Sequence, residues 1–585
     1  MSSAASTMHL TQNWEIGKPG PSSRGGIVAA QNGTAARIGA EVLAAGGTAV
    51  DAVVATAFAL AVVEPWSSGL GGIGHLVVHR ADADRAEAVD FGPIAPRHLD
   101  PAAYPLTGKT RTELFTWSQG VVEDRNMRGP LSFVIPSGVR GYAVAVERFG
   151  RMPWRELVAP AIPLARSGLP VDWFTTLKVA NAAADLRQYD ESRRIWLPDG
   201  LPPVCPSDGD VPTLRLGRLA ETLERLAAAG PDDFYRGEIA GSIIADTQAA
   251  GGVLSAEDLR GCQARIVPSL EIPYRGVMVQ TAPGMTAGPT LAGVLGRLAE
   301  QRFAGSPDVD YFVAVAEALR QAYAGRLDSM GDIEPGSPTS TTHVTAIDRQ
   351  GSVAALTTTL LSLFGSHYVL PGTGILMNNG VMWFDPRPGR PNSIAPGKRA
   401  LTNMCPVVVA RDGRPWFGVG ASGGAEDPRR GTANGELYRR FRDGPRDGGA
   451  PSQDRRQRQR PGWHRPPACR ANHRAPVIPA RRDTCRAYGL SLPLCLPQPC
   501  AAGAGRANSR HIRRHVTVVR RSRRTRLKSL RILCKAERGD KSQPGSVPDA
   551  ISIVSGSSCR RIRSLSTRRR GIAAWRNAGS PRDCD

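Results

Sequence analysis

The hydroxyl side chains of Ser340-Thr341-Thr342 stand directly before the alternating run His343-Val344-Thr345-Ala346-Ile347. A threonine hydroxyl is a poor nucleophile unless a base sits beside it. A chain cut immediately before Thr341 would supply that base, because a free α-amino group titrates at about 7.7–8.0. The hydroxyl could make the cut itself by attacking the Ser340 carbonyl, through an ester intermediate. A place at the head of a buried strand would fix its position, and β-branching restricts its χ1. Taken alone, the same three residues also fit a simple polar entry to a strand.

The neighbouring elements are those such a nucleophile needs. Thr342 to Ile347 alternates, Asp348-Arg349-Gln350-Gly351 reads as a turn, and Val353 to Leu361 is strand-like again. Pro406 to Ala410 and Pro415 to Gly420, joined by Arg411-Asp412-Gly413-Arg414, form a second hairpin pattern. Earlier in the chain the period is helical. Thr34 to Ala45 stops at Gly46-Gly47, and Val50 to Val63 is apolar on most faces and so predicted to be buried. Helical spacing also marks Tyr142 to Phe149, Pro153 to Ser167, Leu214 to Ala229, Phe234 to Ala250 and Val309 to Ala324, with a strand at Val277 to Thr281. Helices followed by hairpins predict a layered α+β domain. Gly69-x-Gly71-x-x-Gly74 has the spacing of a dinucleotide fingerprint, but it follows a helix and precedes a strand, so close backbone packing is the expectation.

The blocks GGTAVDAVVATAFALAVVEPWSSGLGGIG, VDFGPIAP, PSGVRGYAVAVERFGRMPWRELVAPAIPLARSG, TTHVTAIDRQGSVAALTTT, GTGILMNN, PGKRALTNMCP and GVGASGG follow one another between about Gly26 and Gly424. In this order they resemble the γ-glutamyltransferase (γ-glutamyl transpeptidase, glutathione hydrolase) family of N-terminal-nucleophile hydrolases. The resemblance implies a four-layer αββα sandwich, made as a proenzyme and cut into large and small subunits at Ser340–Thr341. It implies Thr341 as the nucleophile and Thr359, eighteen residues on, as a second threonine that assists self-cleavage. It implies Gly423 and Gly424 as the glycine pair whose N–H groups form the oxyanion hole. Thr402 and Asn403 fall where the family has a hydroxyl-bearing pair that contacts substrate. No metal or organic cofactor is implied, and the expected substrate is a small amide or γ-glutamyl-type molecule. His343 and Cys405 are expected to be packed side chains rather than base and nucleophile.

The residues that hold the γ-glutamyl zwitterion in the family do not match. Gly92 stands where an arginine normally follows the Asp-Phe of the VDF block, Leu361 where an asparagine stands, and Gly380 and Trp383 where a polar residue and an aspartate stand. An amino-acid zwitterion in such a pocket would leave its charges poorly paired. An apolar or aromatic acyl group suits Trp383 and Leu361 better, with Asp385 as a nearby carboxylate that could compensate. The expected activity is therefore a self-processing amidohydrolase or acyltransferase with an altered acyl pocket.

Charge divides the chain. The formal net charge is +23, yet the residues from Ala425 on carry 38 Lys and Arg against 12 Asp and Glu, so the first 424 are close to neutral. The organisation read from this is a disordered leader over 1–25, a large-subunit region over 26–340, the start of the small subunit over 341–424, and a basic tail over 425–585. Text rich in Arg and Pro without lasting periodicity is what a shifted reading frame in a GC-rich gene would produce, leaving the fold incomplete at its C-terminal end. The alternative is a catalytically dead or misfolded product, or one whose tail binds nucleic acid through a cluster such as Arg520, Arg521, Arg523 and Arg524. Aromatic stacking platforms are sparse there, and nucleic acid is not the expected partner. His464, Cys469, His473 and Cys485 lack paired zinc-ligand spacing. The longest apolar run, Ala52 to Val63, is shorter than the ~20 residues a bilayer span takes. With no apolar leader visible, a cytoplasmic, membrane-free protein is the expectation.

Overall fold

The computed structural model describes residues 22–110, 119–206, 210–303, 309–330, 340–422 and the pair 478–479, all within one compact unit, Met1–Arg521. Eleven strands of the described residues build its centre: β1 (Ile27–Ala29), β2 (Ile73–His79), β3 (Glu87–Phe91), β4 (Arg265–Pro268), β5 (Leu270–Tyr274), β6 (Val277–Thr281), β7 (Ser340–Ile347), β8 (Val353–Leu361), β9 (Val407–Arg411), β10 (Arg414–Val419) and β11 (Ile478–Pro479). They form a six-stranded sheet ordered β1-β7-β8-β2-β3-β4 and a five-stranded sheet ordered β11-β10-β9-β6-β5. Every pairing within both sheets is antiparallel.

Strand alternation assigns the layers. On β8, Ala354 and Leu356 join the helix-side core, whereas Val353 and Ala355 join the cluster between the sheets. On β9, Val408 faces that same intersheet cluster, while Val407 and Val409 pack outward with Leu291, Val294 and Leu295 of helix Gly288–Ala299 and Val315 of helix Val309–Met330. On the opposite side, helices Gly33–Ala44 and Ala49–Val63 cover the first sheet. Helix, sheet, sheet, helix is the αββα order that the motif blocks imply.

Helix Ala49–Val63 is the keel of the first layer, and all but its last residue are buried. Each large side chain so buried is worth about 1.5–3 kcal/mol. Thr48 and Asp51 form a capping box at its start, and the fully buried Asp51 carboxylate also accepts from the Arg151 backbone N–H at 2.9 Å. The glycine run after it is close backbone packing: a Cβ on Gly72 would lie 2.9 Å from the Thr359 carbonyl oxygen, and one on Gly74 would strike the Thr357 carbonyl. The β9–β10 hairpin turns through Asp412 (φ 52°) and Gly413 (φ 70°), the left-handed pair that a two-residue hairpin demands.

Several boundaries differ from the periodicity. Pro153 to Ser167 is two helices, Trp154–Val158 and Ala161–Ser167, because Pro160 cannot continue the first. Phe234 to Ala250 is likewise divided at Gly237. Helix Leu219–Ala229 starts later than its apolar spacing suggested, with Thr213–Leu214 drawn into a short strand. Strands β1, β3, β4 and β5 are not marked by the periodicity. No helix among the described residues is long and apolar enough to cross a membrane.

Candidate active site

Thr341 sits at the head of β7, where the ladder with β8 slips. Ser340 pairs with Leu361 and Thr342 with Thr358, so Thr341 alone opposes both Thr359 and Leu360. The extra residue lies on β8, so the bulge re-aims the side chains of that strand, Thr359 and Leu360, opposite Thr341. Thr341 is 6% exposed, and its Oγ1 donates to Thr359 Oγ1 at 3.3 Å. Thr359 Oγ1 also accepts the Leu361 backbone N–H at 2.8 Å, which fixes the rotamer of the acceptor. The Thr341 carbonyl accepts from Gln31 Nε2 at 3.3 Å. The two threonines that the motif blocks singled out thus meet, and Ser340 lies in the same strand. Gly423 and Gly424 lie outside the described residues, as does all of the tail but 478–479.

His343 is a packing residue. Its Nδ1 meets Thr357 Oγ1 at 3.0 Å and its Nε2 meets Thr345 Oγ1 at 2.8 Å. Burial lowers its pKa to about 3, and a ring that titrates there takes no proton at neutral pH. Cys405 is equally unsuited to attack, since burial pushes its thiol up to about 11.

Thr402 is anchored from both ends. Its hydroxyl donates to the Met285 carbonyl at 3.2 Å, and its own carbonyl accepts from Arg326 Nη2 at 2.6 Å. Asn403 takes the indole N–H of Trp383 at 3.4 Å, so two expected substrate-side residues are joined to each other. Asn392 ties the same region together, donating to the Trp383 carbonyl at 2.7 Å and accepting from Leu401 N–H at 3.1 Å.

Asn378 and Asn379 turn out to be scaffolding that the sequence left unassigned. Asn378 bonds Gly71 O at 2.7 Å and Val134 N at 3.0 Å; Asn379 holds both the backbone N–H and the hydroxyl of Ser362, at 3.1 and 2.9 Å. They pin the chain around the end of β8, near Thr341. That end is strained: Leu361 has φ 86°, a region where asparagine is far more at ease than leucine.

Two of the positions that depart from the family pattern, Leu361 and Trp383, meet in one apolar cluster. Ile73, the cross-strand partner of Thr359, packs in one buried group with Leu361, Val381, Met382, Trp383 and Met404. A side chain at Gly92 would meet the His75 ring at 3.0 Å, so that ring stands where the arginine would begin. Asp385 cannot take a substrate ammonium, because Arg387 Nε and Nη2 hold its carboxylate at 3.0 and 2.9 Å. Among the described residues no group of three His, Cys, Asp or Glu side chains is placed to hold a metal ion.

A strand-head threonine bonded to a second buried threonine, inside an αββα sandwich, is the arrangement expected of an N-terminal-nucleophile hydrolase. The profile of the Gamma-glutamyltranspeptidase family matches residues 35–338 and 334–432, so the chain belongs to that family. It is 30% identical over 455 residues to the glutathione hydrolase proenzyme of Escherichia coli K12, covering 68% of this chain and 75% of that protein. It is 31% identical over 456 residues to the acylase ACY 1 proenzyme of Pseudomonas sp. strain SE83, covering 69% and 78%. The crystal structure of cephalosporin acylase from Bacillus halodurans superposes with a TM-score of 0.60 at 25% identity, over 70% of this chain and 80% of that one. The chain is thus a self-processing hydrolase and transferase by family, with relatives of both glutathione-hydrolase and acylase type.

Proposed function

We propose that Thr341 cleaves the chain at Ser340–Thr341 and then works as an acyl-accepting nucleophile on amides with an apolar or aromatic acyl group. The observation that carries this is the Thr341–Thr359 hydroxyl pair at the β7–β8 bulge. In self-cleavage, Thr341 Oγ attacks the Ser340 carbonyl carbon, the peptide C–N bond breaks, and the hydroxyl proton passes to the departing nitrogen. Water then hydrolyses the resulting ester and leaves a carboxylate on residue 340. In turnover, the new α-amine accepts the hydroxyl proton while Oγ attacks the substrate carbonyl, and the leaving amine departs with that proton. Water or a second amine resolves the acyl-Thr341 ester. The N–H groups of Gly423 and Gly424 are assigned to the oxyanion by the family pattern.

The apolar preference rests on Leu361, Trp383 and Ile73 beside Thr359, on the commitment of Asp385 to Arg387, and on Gly92. Thr402 and Asn403 are assigned to the substrate side, with Asn403 oriented by Trp383. Two subunits from one precursor are the functional form. The test is intact mass and N-terminal sequencing of purified chain, wild type against Thr341→Ala, followed by kcat/KM for phenylacetyl and γ-glutamyl 4-nitroanilides. A break before Thr341 that the variant lacks, with the phenylacetyl amide preferred, is the expected result. An unbroken wild-type chain overturns the nucleophile, and a γ-glutamyl preference overturns the pocket.

A further inference from the structure

Gln31 is an exposed residue that no motif marks, yet it touches the nucleophile. It lies at the joint between β1 and the first helix. On one side, β1 is registered to β7 through Ala29↔Thr345. On the other, Asn32 caps the helix, its Oδ1 accepting from Thr34 N at 2.9 Å and Ala35 N at 3.4 Å. The backbone around Gln31 is therefore fixed, and its side chain reaches the end of β7. There its Nε2 donates to the Thr341 carbonyl at 3.3 Å and to the Ser422 hydroxyl. Ser422 is the last described residue of an arm that leaves β10 and leads to Gly423-Gly424. The arm has a second seat on β7: a Cβ at Gly420 would fall within the His343 ring, so backbone lies directly on that side chain.

We propose that Gln31 is a positioning residue that locks the nucleophile and the 420–422 arm to each other through one carboxamide; this rests on the reading of Thr341 as the nucleophile. A carboxamide NH2 offers two donors, and here they reach one carbonyl and one hydroxyl. The demand for such a tie rises at self-cleavage. Residue 341 then loses its covalent neighbour at 340, and rotation about its ψ would swing the α-amine and hydroxyl away from the substrate carbonyl. Holding the Thr341 carbonyl plane resists that rotation, and holding Ser422 sets the arm at a fixed distance from Oγ. A misplacement of about 1 Å at a reacting centre costs on the order of a hundredfold in rate.

The experiment uses the full chain, after its self-cleavage, with Gln31→Met, Gln31→Glu and Ser422→Ala. Methionine keeps length and removes both donors, so kcat is expected to fall about tenfold with KM within about twofold, the scale of one or two lost hydrogen bonds. Ser422→Ala leaves the Thr341 contact and is expected to lose about threefold. Gln31→Glu places an acceptor-only carboxylate near the α-amine, which favours its charged form and moves the acid limb of the pH–rate profile upward by about half a unit or more. A residue that only supports the fold would lower the melting temperature without moving that limb. A cleaved Gln31→Met chain with wild-type kcat, or a Gln31→Glu profile that does not shift, overturns the proposal alone. A wild-type chain with no break before Thr341 sinks it together with the nucleophile reading.

Discussion

Replacing Thr359 with valine tests the site at its centre. Valine keeps the shape and exchanges the hydroxyl for a methyl group. Thr359 is fully buried, and its Oγ1 accepts twice, from Leu361 N at 2.8 Å and from Thr341 Oγ1 at 3.3 Å. Loss of the first leaves a buried backbone N–H without its acceptor, which costs about 1–3 kcal/mol. At roughly 2–4 °C per kcal/mol, the melting temperature should fall by roughly 2–12 °C. Loss of the second frees the nucleophile's hydroxyl from a neutral hydrogen bond worth about 0.5–1.5 kcal/mol, or roughly 2- to 13-fold in rate. Self-cleavage of freshly made chain, followed by gel densitometry over time, should slow within that range. Thr359→Ser keeps both bonds and should restore rate and melting temperature together. Wild-type cleavage by Thr359→Val would refute the claim that this hydroxyl orients Thr341, and an unchanged melting temperature would refute the bond to Leu361.

Acid should destabilise the fold through two buried imidazoles. Burial lowers His343 to about 3, and burial with the Arg128 charge lowers His367 to about 3, whereas in the unfolded chain both titrate near 6.5. Their contribution is complete above 6.5 and is lost as pH falls toward 3; at pH 5.5 each costs about 1.4 kcal/mol, so urea midpoints at pH 7.5 and 5.5 should differ clearly. Gly420→Ala should impair folding or cleavage more than substitution of an exposed helical glycine such as Gly241→Ala, because its methyl group would overlap the His343 ring; equal melting temperatures would contradict the packing. Arg326→Met removes donors to Thr286 O, Thr290 Oγ1 and Thr402 O, at about 1.5–3 kcal/mol for each bond to a charged group, and calorimetry should show the loss.

Several of the groups proposed for the site are legible in the sequence alone. A threonine at a strand entry, a second threonine in the facing strand and a charge break near residue 425 are local facts of order and composition. So was the buried helix after Thr48, whose apolar run and capping residues are contiguous. Seven blocks in family order carried the αββα expectation, because block order reflects the fold without depending on any one contact. Helix ends at Pro160 and Gly237 were harder, since apolar spacing continues across a residue that stops the backbone.

What the tertiary structure decided are the relations between residues far apart in the chain. Gln31 and Thr341 meet across 310 positions, and no periodicity encodes that encounter. Asp385 reads in the sequence as a spare carboxylate; in the fold Arg387 turns back onto it. Trp383 and Leu361 are apolar letters at polar positions; packing joins them in one buried cluster with Ile73, the cross-strand partner of Thr359. The bulge that sets Thr341 against two residues of β8 is a matter of register, which depends on both strands at once. Sequence determined which groups are available for the proposed chemistry, because reactivity belongs to side-chain type. Their distances, partners and protonation were left to the fold, because those depend on what burial and pairing bring alongside.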